Sequence, residues 1–246
     1  MNIGMYQSAA SLTALERWQD AVAQNISSSQ VTGFKKRTVD FSGVPMGEMT
    51  VGNGSSAQMQ NAVLPKASYG VNFQAGETRA TANHLDVALQ GEGFFEVQTA
   101  NGGHAYTRCG EFHVSADRTL TASDGSNVLS DGGAPITLQP QGGEISIAPD
   151  GLVTQGDAQL GRLAVSKFDD NSQLTPIGSG YFAARSGVTP TPVDKPQVLQ
   201  GYLESSNVTP LREMVALIQI ARAYESNQKL ITSRDQTMAK ALETLG

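Results

Sequence analysis

His104, Cys109 and His113 lie within ten residues of one another, the closest gathering of imidazole and thiol groups in the chain. Such a set could ligate a metal, or form a Cys–His pair in which the imidazole takes the thiol proton. The spacing argues against both. Side chains alternate along a strand, so positions 104, 109 and 113 share no face without an intervening turn, and no fourth ligand stands at a metal-binding interval. Gly91-Glu92-Gly93 begins like a phosphate-cradling loop, but neither a third glycine nor a Walker lysine follows. Asp86, Glu92 and Glu96 are carboxylates of the kind any β-rich protein carries. No catalytic, cofactor-binding or metal-binding residue is assigned, and no cofactor or enzyme activity is expected.

The bulk properties narrow the class further. Net charge is −6 over 246 residues and the basic groups are scattered, which leaves no electrostatic footprint for nucleic acid. No run of 18 apolar residues occurs, so no membrane span is expected. The first residues lack a basic n-region and a continuous apolar h-region, so no cleaved secretory signal is expected either. The single cysteine cannot form an internal disulfide. That fits cytosolic residence, or an external protein that leaves the cytoplasm by a route needing no disulfides.

The elements that would have to position any site are helical at the ends and β-like between. Leu217, Tyr224, Ile231, Met238 and Leu245 recur every seven residues, with Ile220 and Ala241 on intervening half-turns. A seven-residue apolar repeat keeps one stripe facing a partner and marks a coiled-coil seam. Met5, Leu12, Leu15, Val22 and Ile26 make a shorter seam near the start, where Tyr6 and Trp18 are expected to pack on the same helix. Thr209 suits an N-cap, Pro210 the first helical position, and Glu213 the positive field of the first turn. Burial along one seam does not offset the ordering of some 35 residues, so this helix is expected to be weakly ordered until several neighbours cover it.

Short alternating runs fill the middle, such as Leu85–Leu89, Phe95–Val97, Ile145–Ile147 and Leu163–Val165. Turn signals punctuate them at Asn101-Gly102-Gly103, Asp124-Gly125, Asp131-Gly132-Gly133, Asp150-Gly151 and Gly178-Ser179-Gly180. The expectation is an α+β chain, mainly β. Its parts are an N-terminal helix over 1–36, an extended arm or linker over 37–75, an all-β domain over 76–202 and a C-terminal helix over 203–246. The two helices are expected to pair as a coiled coil in an assembled tube.

Asn25-Ile26-Ser27-Ser28-Ser29-Gln30-Val31-Thr32-Gly33-Phe34-Lys35 resembles the N-terminal signature of the bacterial flagellar rod and hook family. Further agreement comes from Leu85-Asp86-Val87-Ala88 with Gly91-Glu92-Gly93-Phe94-Phe95, and from Tyr106-Thr107-Arg108 with Gly110 and Phe112. Near the end stand Gly201-Tyr202-Leu203-Glu204-Ser205-Ser206-Asn207-Val208, and then Glu213-Met214 with Arg222-Ala223-Tyr224-Glu225. The motif residues of highest specificity are Asn25, Gly33, Phe34, Lys35, Gly201, Leu203, Glu204, Ser206, Asn207 and Val208. Gly33 also reads as an αL cap ending the first helix.

The resemblance spans nearly the whole chain. It implies a non-enzymatic subunit of the flagellar axial structure, placed in the basal body and exported without a cleaved signal by the flagellum's own type III apparatus. Its implied partners are itself, other rod proteins and that export apparatus, with no nucleic acid and no direct membrane span. The terminal helices would form an inner tube around the export channel and transmit torque, with the β-domain outside. The assembly seam would be Leu12, Leu15, Val22, Ile26, Leu217, Ile220, Tyr224, Ile231, Met238 and Leu245. Within the family, the length and the segment from Gly132 to Gly151 favour a proximal-rod member over a distal-rod or hook-type one. The reading from a different class is a secreted β-domain adhesin or binding module, trimerised by its helices.

Overall fold

The computed structural model describes residues 3–51, 58–140 and 142–245, with side chains over 6–45, 63–140, 142–240, 243 and 244. Helix α1 (Ile3–Ser27) opens the chain and helix α2 (Pro210–Leu245) closes it. Between them come β1 (Arg37–Val51), β2 (Gln58–Val71), β3 (Thr78–Ala80), β4 (Val87–Gln90), β5 (Phe94–Gln98) and β6 (His104–Thr107). There follow β7 (Phe112–Val114), β8 (Leu120–Ala122), β9 (Asn127–Val128), β10 (Ile145–Ile147), β11 (Leu152–Gln155) and β12 (Ala158–Arg162). Last are β13 (Val165–Lys167), β14 (Leu174–Gly178), β15 (Tyr181–Ala184), β16 (Thr191–Pro192), β17 (Gln197–Gln200) and β18 (Tyr202–Glu204). The fold is therefore α+β and mostly β. The chain divides into two compact units, a helical unit of residues 1–27, 37–72 and 209–246 and a β unit of residues 28–36 and 73–208.

In the helical unit, α2 begins where its capping residues put it. The Thr209 carbonyl accepts the amides of Arg212 and Glu213 at 3.0 and 3.2 Å. Pro210 occupies the first helical position, where it has no hydrogen bond to forfeit. α1 has neither acid in its first turn nor base in its last, so packing must hold it. Leu15 and Val22 of α1 and Ile220 of α2 are buried together, with Trp18, Ile26, Leu217, Ala223 and Tyr224 packed around them.

Residues 37–71, expected as an extended arm, form a long antiparallel pair. β1 and β2 run in register from Arg37↔Val71 to Val51↔Gln58, with one slip between Pro45 and Gly47. One reason is that α1 covers part of the pair. Trp18 meets Phe41 edge-on at 5.8 Å, and Arg17 donates to the Ala67 carbonyl at 2.7 Å. Phe41, Val44, Val63 and Tyr69 nonetheless stay exposed, which is why no clean alternation marks these strands in the sequence. The helix expected over 1–36 ends earlier, at Ser27, and residues 28–36 belong to the β unit.

The β unit carries, among the described residues, a nine-stranded sheet in the order β14-β15-β6-β5-β9-β8-β7, with β13 and β16 branching from β5. A three-stranded sheet β10-β11-β12 and the pairs β17-β4 and β18-β3 complete it. The turns fall at the Asn-Gly and Asp-Gly signals. Gly102, Gly125, Gly133 and Gly151 each donate their amide three residues back. Phe95 and Phe112 sit fully buried at the core centre, edge to face at 5.4 Å. Val87, Val97, Leu120, Ile136, Val153 and Leu163 close around them.

A buried phenol gives this unit an alkaline weakness. Tyr106 packs edge-on against Phe168 at 4.8 Å, and burial, with Glu96 adding to it, pushes its pKa up to about 12. Burial raises Tyr181 in the same direction. A raised acid pKa means that the unfolded chain ionises first. The stability is complete below about pH 10 and is lost as the pH climbs toward 12. Alkaline titration followed by phenolate absorbance and circular dichroism should show unfolding in that window, and Tyr106→Phe should move it upward. An unchanged midpoint in the variant would show that Tyr106 does not set it.

Candidate functional site

The most unusual chemistry in the molecule is a set of three buried charges in the β unit. Lys35 Nζ meets Glu204 Oε1 at 2.5 Å, and Arg108 Nη1 meets Glu204 Oε2 at 3.3 Å. All three side chains are buried. Each is delivered by a different sequence block: Gly33-Phe34-Lys35, Tyr106-Thr107-Arg108 and Leu203-Glu204. Backbone groups take up most of the remaining hydrogen bonds, while Arg108 Nε is buried without a partner. Lys35 also donates to the Gln74 carbonyl at 2.8 Å, and Arg108 to the carbonyls of Leu89 at 3.1 Å and Gly91 at 2.5 Å. Glu204 further accepts the Gly76 amide at 3.0 Å. Burial pulls the pKa values of Lys35 and Arg108 down, and the Glu204 carboxylate opposes that pull for both. Removing such charges from water is costly unless every one is paired and hydrogen-bonded.

The backbone around this cluster is clamped as well. The Gly33 amide donates to the Glu204 carbonyl at 2.7 Å, and the Lys36 amide to Asn207 Oδ1 at 2.7 Å. The Asn207 amide reaches the Phe34 carbonyl at 3.4 Å, and Ser206 Oγ accepts the Val208 amide at 3.2 Å. Gly33 has φ +68°, and a Cβ there would stand 2.3 Å from the Cys109 backbone nitrogen. That glycine therefore permits a close crossing of two strands of chain. It does not end a helix, since α1 stops six residues before it. Leu203 and Val208 are buried beside the cluster, and Gly201 makes the turn into β18, its amide donating to the Asp86 carbonyl at 2.7 Å.

A second clamp lies within the helical unit. Asn25 is fully buried and bonds both backbone groups of Arg37, its Oδ1 accepting at 2.7 Å and its Nδ2 donating at 2.9 Å. The same Nδ2 donates to Glu213 Oε2 at 3.0 Å. Glu213, read from sequence as a helix-dipole residue, is buried and ties α2 to α1. Both clamps join an early segment of the chain to a late one. In both, the polar groups face one another and not solvent.

The other candidates do not converge. His104 is exposed on β6, with Nδ1 2.6 Å from Glu96 Oε1, and His113 is exposed on β7. Cys109 is buried, its Sγ 3.0 Å from Thr32 Oγ1. Among the described residues no group of three or more His, Cys, Asp or Glu is placed to hold a metal. Of the seam residues, Leu15, Val22 and Ile26 come together with Leu217, Ile220 and Tyr224. Leu12 and Ile231 are half-buried outside that group, Met238 is exposed, and the Leu245 side chain lies outside the described residues. No helix among the described residues is long and apolar enough to cross a membrane.

Two family models match the chain: the flagellar hook protein FlgE/F/G D1 domain over residues 88–155, and the flagellar basal body rod FlgEFG protein C-terminal over 199–244. The chain is also 35% identical to the flagellar basal-body rod protein FlgF of Caulobacter vibrioides, over all of its own length and 99% of that protein. The chain belongs to the flagellar basal-body rod protein family. Similarity to FlgF of Mesorhizobium japonicum is 32% over the whole chain, and to FlgG of Agrobacterium fabrum 32% over 93% of it and 94% of that protein. The second rod-family match starts within β17, and so includes Glu204, Asn207 and Glu213 of the two clamps.

These clamps decide where the rod-family chain can be cut. A fragment of residues 28–208 keeps Lys35, Arg108 and Glu204 together, whereas 76–202 keeps Arg108 alone. The longer fragment should fold, and the shorter should be less stable by several kcal/mol, because a buried cation loses its carboxylate. Urea unfolding of the two would decide the matter, and equal midpoints would mean that the clamp contributes nothing.

Proposed function

We propose that this chain is a structural, non-enzymatic subunit of the bacterial flagellar basal-body rod, of the proximal FlgF type. It assembles through its helical unit with further copies of itself and with other rod proteins. The observation that carries this reading is the match to FlgF relatives over the whole given chain and 99% of each relative. The distribution of exposed apolar side chains supports it. Among the described residues, eleven of the fourteen large exposed hydrophobic residues lie in the helical unit, and Val114, Ile177 and Tyr202 lie in the β unit. The β unit is thus dressed for water and the helical unit for protein partners.

The length of α2 supports it too. Beyond Tyr224 the described side chains of α2 are exposed, except for the half-buried Asn227 and Ile231. The 36-residue α2 is longer than the 25-residue α1, and most of its second half is open to solvent. In the proposed rod, neighbouring helices cover it, the tube they form surrounds an export channel, and its rigidity transmits torque. The chain reaches that place through the flagellar type III export apparatus. Electron microscopy of basal bodies from a deletion strain tests the reading. The rod should stop short and the full chain should restore it, whereas complete rods and normal swimming in the deletion strain would refute the proposal.

A further inference from the structure

The helical unit carries two apolar features that one chain cannot bring together. On α2, Leu211, Met214, Val215 and Ile218 are 71%, 50%, 48% and 54% exposed. With 3.6 residues per turn they form a ridge spanning roughly 100° of the helix surface, on the side opposite Ile220 and the α1 contact. The second feature is a groove of about 410 Å³ between α1 and the β1–β2 pair, lined among others by Ala10, Thr13, Ala14, Arg17, Leu64 and Ala67. By the same helical geometry, positions 10, 13, 14 and 17 lie on the side of α1 away from Leu15, Val22 and α2. Ridge and groove therefore face outward on opposite sides of the α1–α2 pair.

We infer that the ridge of one copy seats in the α1–hairpin groove of the next, a head-to-tail contact between copies of this chain. The inference rests on the rod reading above and names the surfaces that would carry it. A second copy is the occupant because projecting apolar side chains and a recess walled mostly by the apolar Ala10, Ala14, Val44, Leu64, Pro65 and Ala67 are both present on the same unit, facing apart. Two ridges meeting symmetrically would leave both grooves empty. The area points the same way. Four such side chains bury about 60–120 Å² each when fully covered. The uncovered part totals roughly 130–270 Å², against the ~800 Å² per partner of a stable two-body complex. A contact of that size holds only when repeated through a polymer.

The geometry also says which kind of polymer. The Asn25–Glu213 bond sets the ridge level with the end of α1, while the groove is centred near Thr13. The two are separated along the helices by roughly 15 Å, from about ten residues at 1.5 Å each. If neighbouring helices run parallel, every added copy is displaced along the axis, and a displaced head-to-tail contact generates an open filament, not a closed ring.

The test uses the full-length chain with Cys109→Ser, so that only introduced cysteines remain. Cells co-express one chain carrying Ile218→Cys and a second, distinguishable by a tag, carrying Thr13→Cys, and basal bodies are isolated after mild oxidation. A mixed-chain disulfide at dimer mass is expected, with none from either chain alone. Val215→Cys in place of Ile218→Cys should give the same product and guards against one poorly assembling variant. A dimer from Ile218→Cys alone would overturn the inference in favour of symmetric pairing. Basal bodies holding both chains without any mixed disulfide would overturn it in favour of a different protein on the ridge. Absence of the unaltered chain itself from basal bodies would refute the rod reading, and this inference with it.

Discussion

Ile220→Asp should abolish motility while leaving the β unit folded. Ile220 is 1% exposed at the centre of the α1–α2 contact, between Leu15 and Val22. A carboxylate there must be desolvated among the apolar side chains of Leu15, Val22 and Ile26, at a cost of several kcal/mol after relaxation. The α1–α2 pair holds few other buried apolar residues, so a loss of that size separates the helices. Circular dichroism should show the helical signal reduced and the β signal kept. Tyr224→Glu, half-buried at the edge of the same cluster, should do less, since its carboxylate can reach water. Lys229→Glu on the exposed stretch of α2 should change little, within the few tenths of a kcal/mol of a surface helix pair. Equal effects of Ile220→Asp and Lys229→Glu would mean that the α1–α2 contact is not what the function needs.

Glu204→Ala should be the most destabilising single change in the β unit. It strands Lys35 and Arg108 without their carboxylate and leaves the Gly76 amide without an acceptor. Removing one member of a buried charge set costs about 3–5 kcal/mol. At roughly 2–4 °C per kcal/mol for a chain of this size, the midpoint of thermal unfolding should fall by roughly 6–20 °C. Replacing all three together, as Lys35→Met, Arg108→Met and Glu204→Leu, should recover much of the loss, because apolar packing of similar volume needs no compensation. A fall of only a degree or two for Glu204→Ala would show that water reaches the cluster and that it holds nothing.

Much of this was readable in the sequence. The boundaries of α2 follow from Thr209-Pro210 and from the absence of internal glycine and proline. The β turns follow from Asp-Gly and Asn-Gly pairs, whose residues adopt the needed backbone at low cost. Three motif blocks were also visible: Gly33-Phe34-Lys35, Tyr106-Thr107-Arg108 and Leu203-Glu204. That they converge on one buried carboxylate was not, because the sequence separation of 169 between Lys35 and Glu204 says nothing about distance in space. The β1–β2 pair was missed for a different reason. Its strands are only partly covered, so the period-2 signal that burial imposes is weak. The seven-residue stripe on α2 named Leu217 and Tyr224 correctly as apolar positions. It could not tell that α1 of the same chain covers them, nor that Leu211, Met214, Val215 and Ile218 are left on the other side.

The order of the chain through its two units has a consequence in time. α1 belongs to the first 27 residues and α2 to the last 38, with the whole β unit threaded between them. A contact between positions so far apart in sequence is among the last that any chain can make. Whatever process delivers this polypeptide end first, whether a ribosome or a narrow conduit, the helix that emerges early must wait for the helix that emerges last. The β unit can close on itself meanwhile, once its own residues up to Val208 are out. The α1–α2 pair thus comes into being only at the final moment of delivery, so an incomplete chain lacks the helical face proposed to join subunits. For the proposed rod, covalent order alone would set the moment at which a subunit is ready to join.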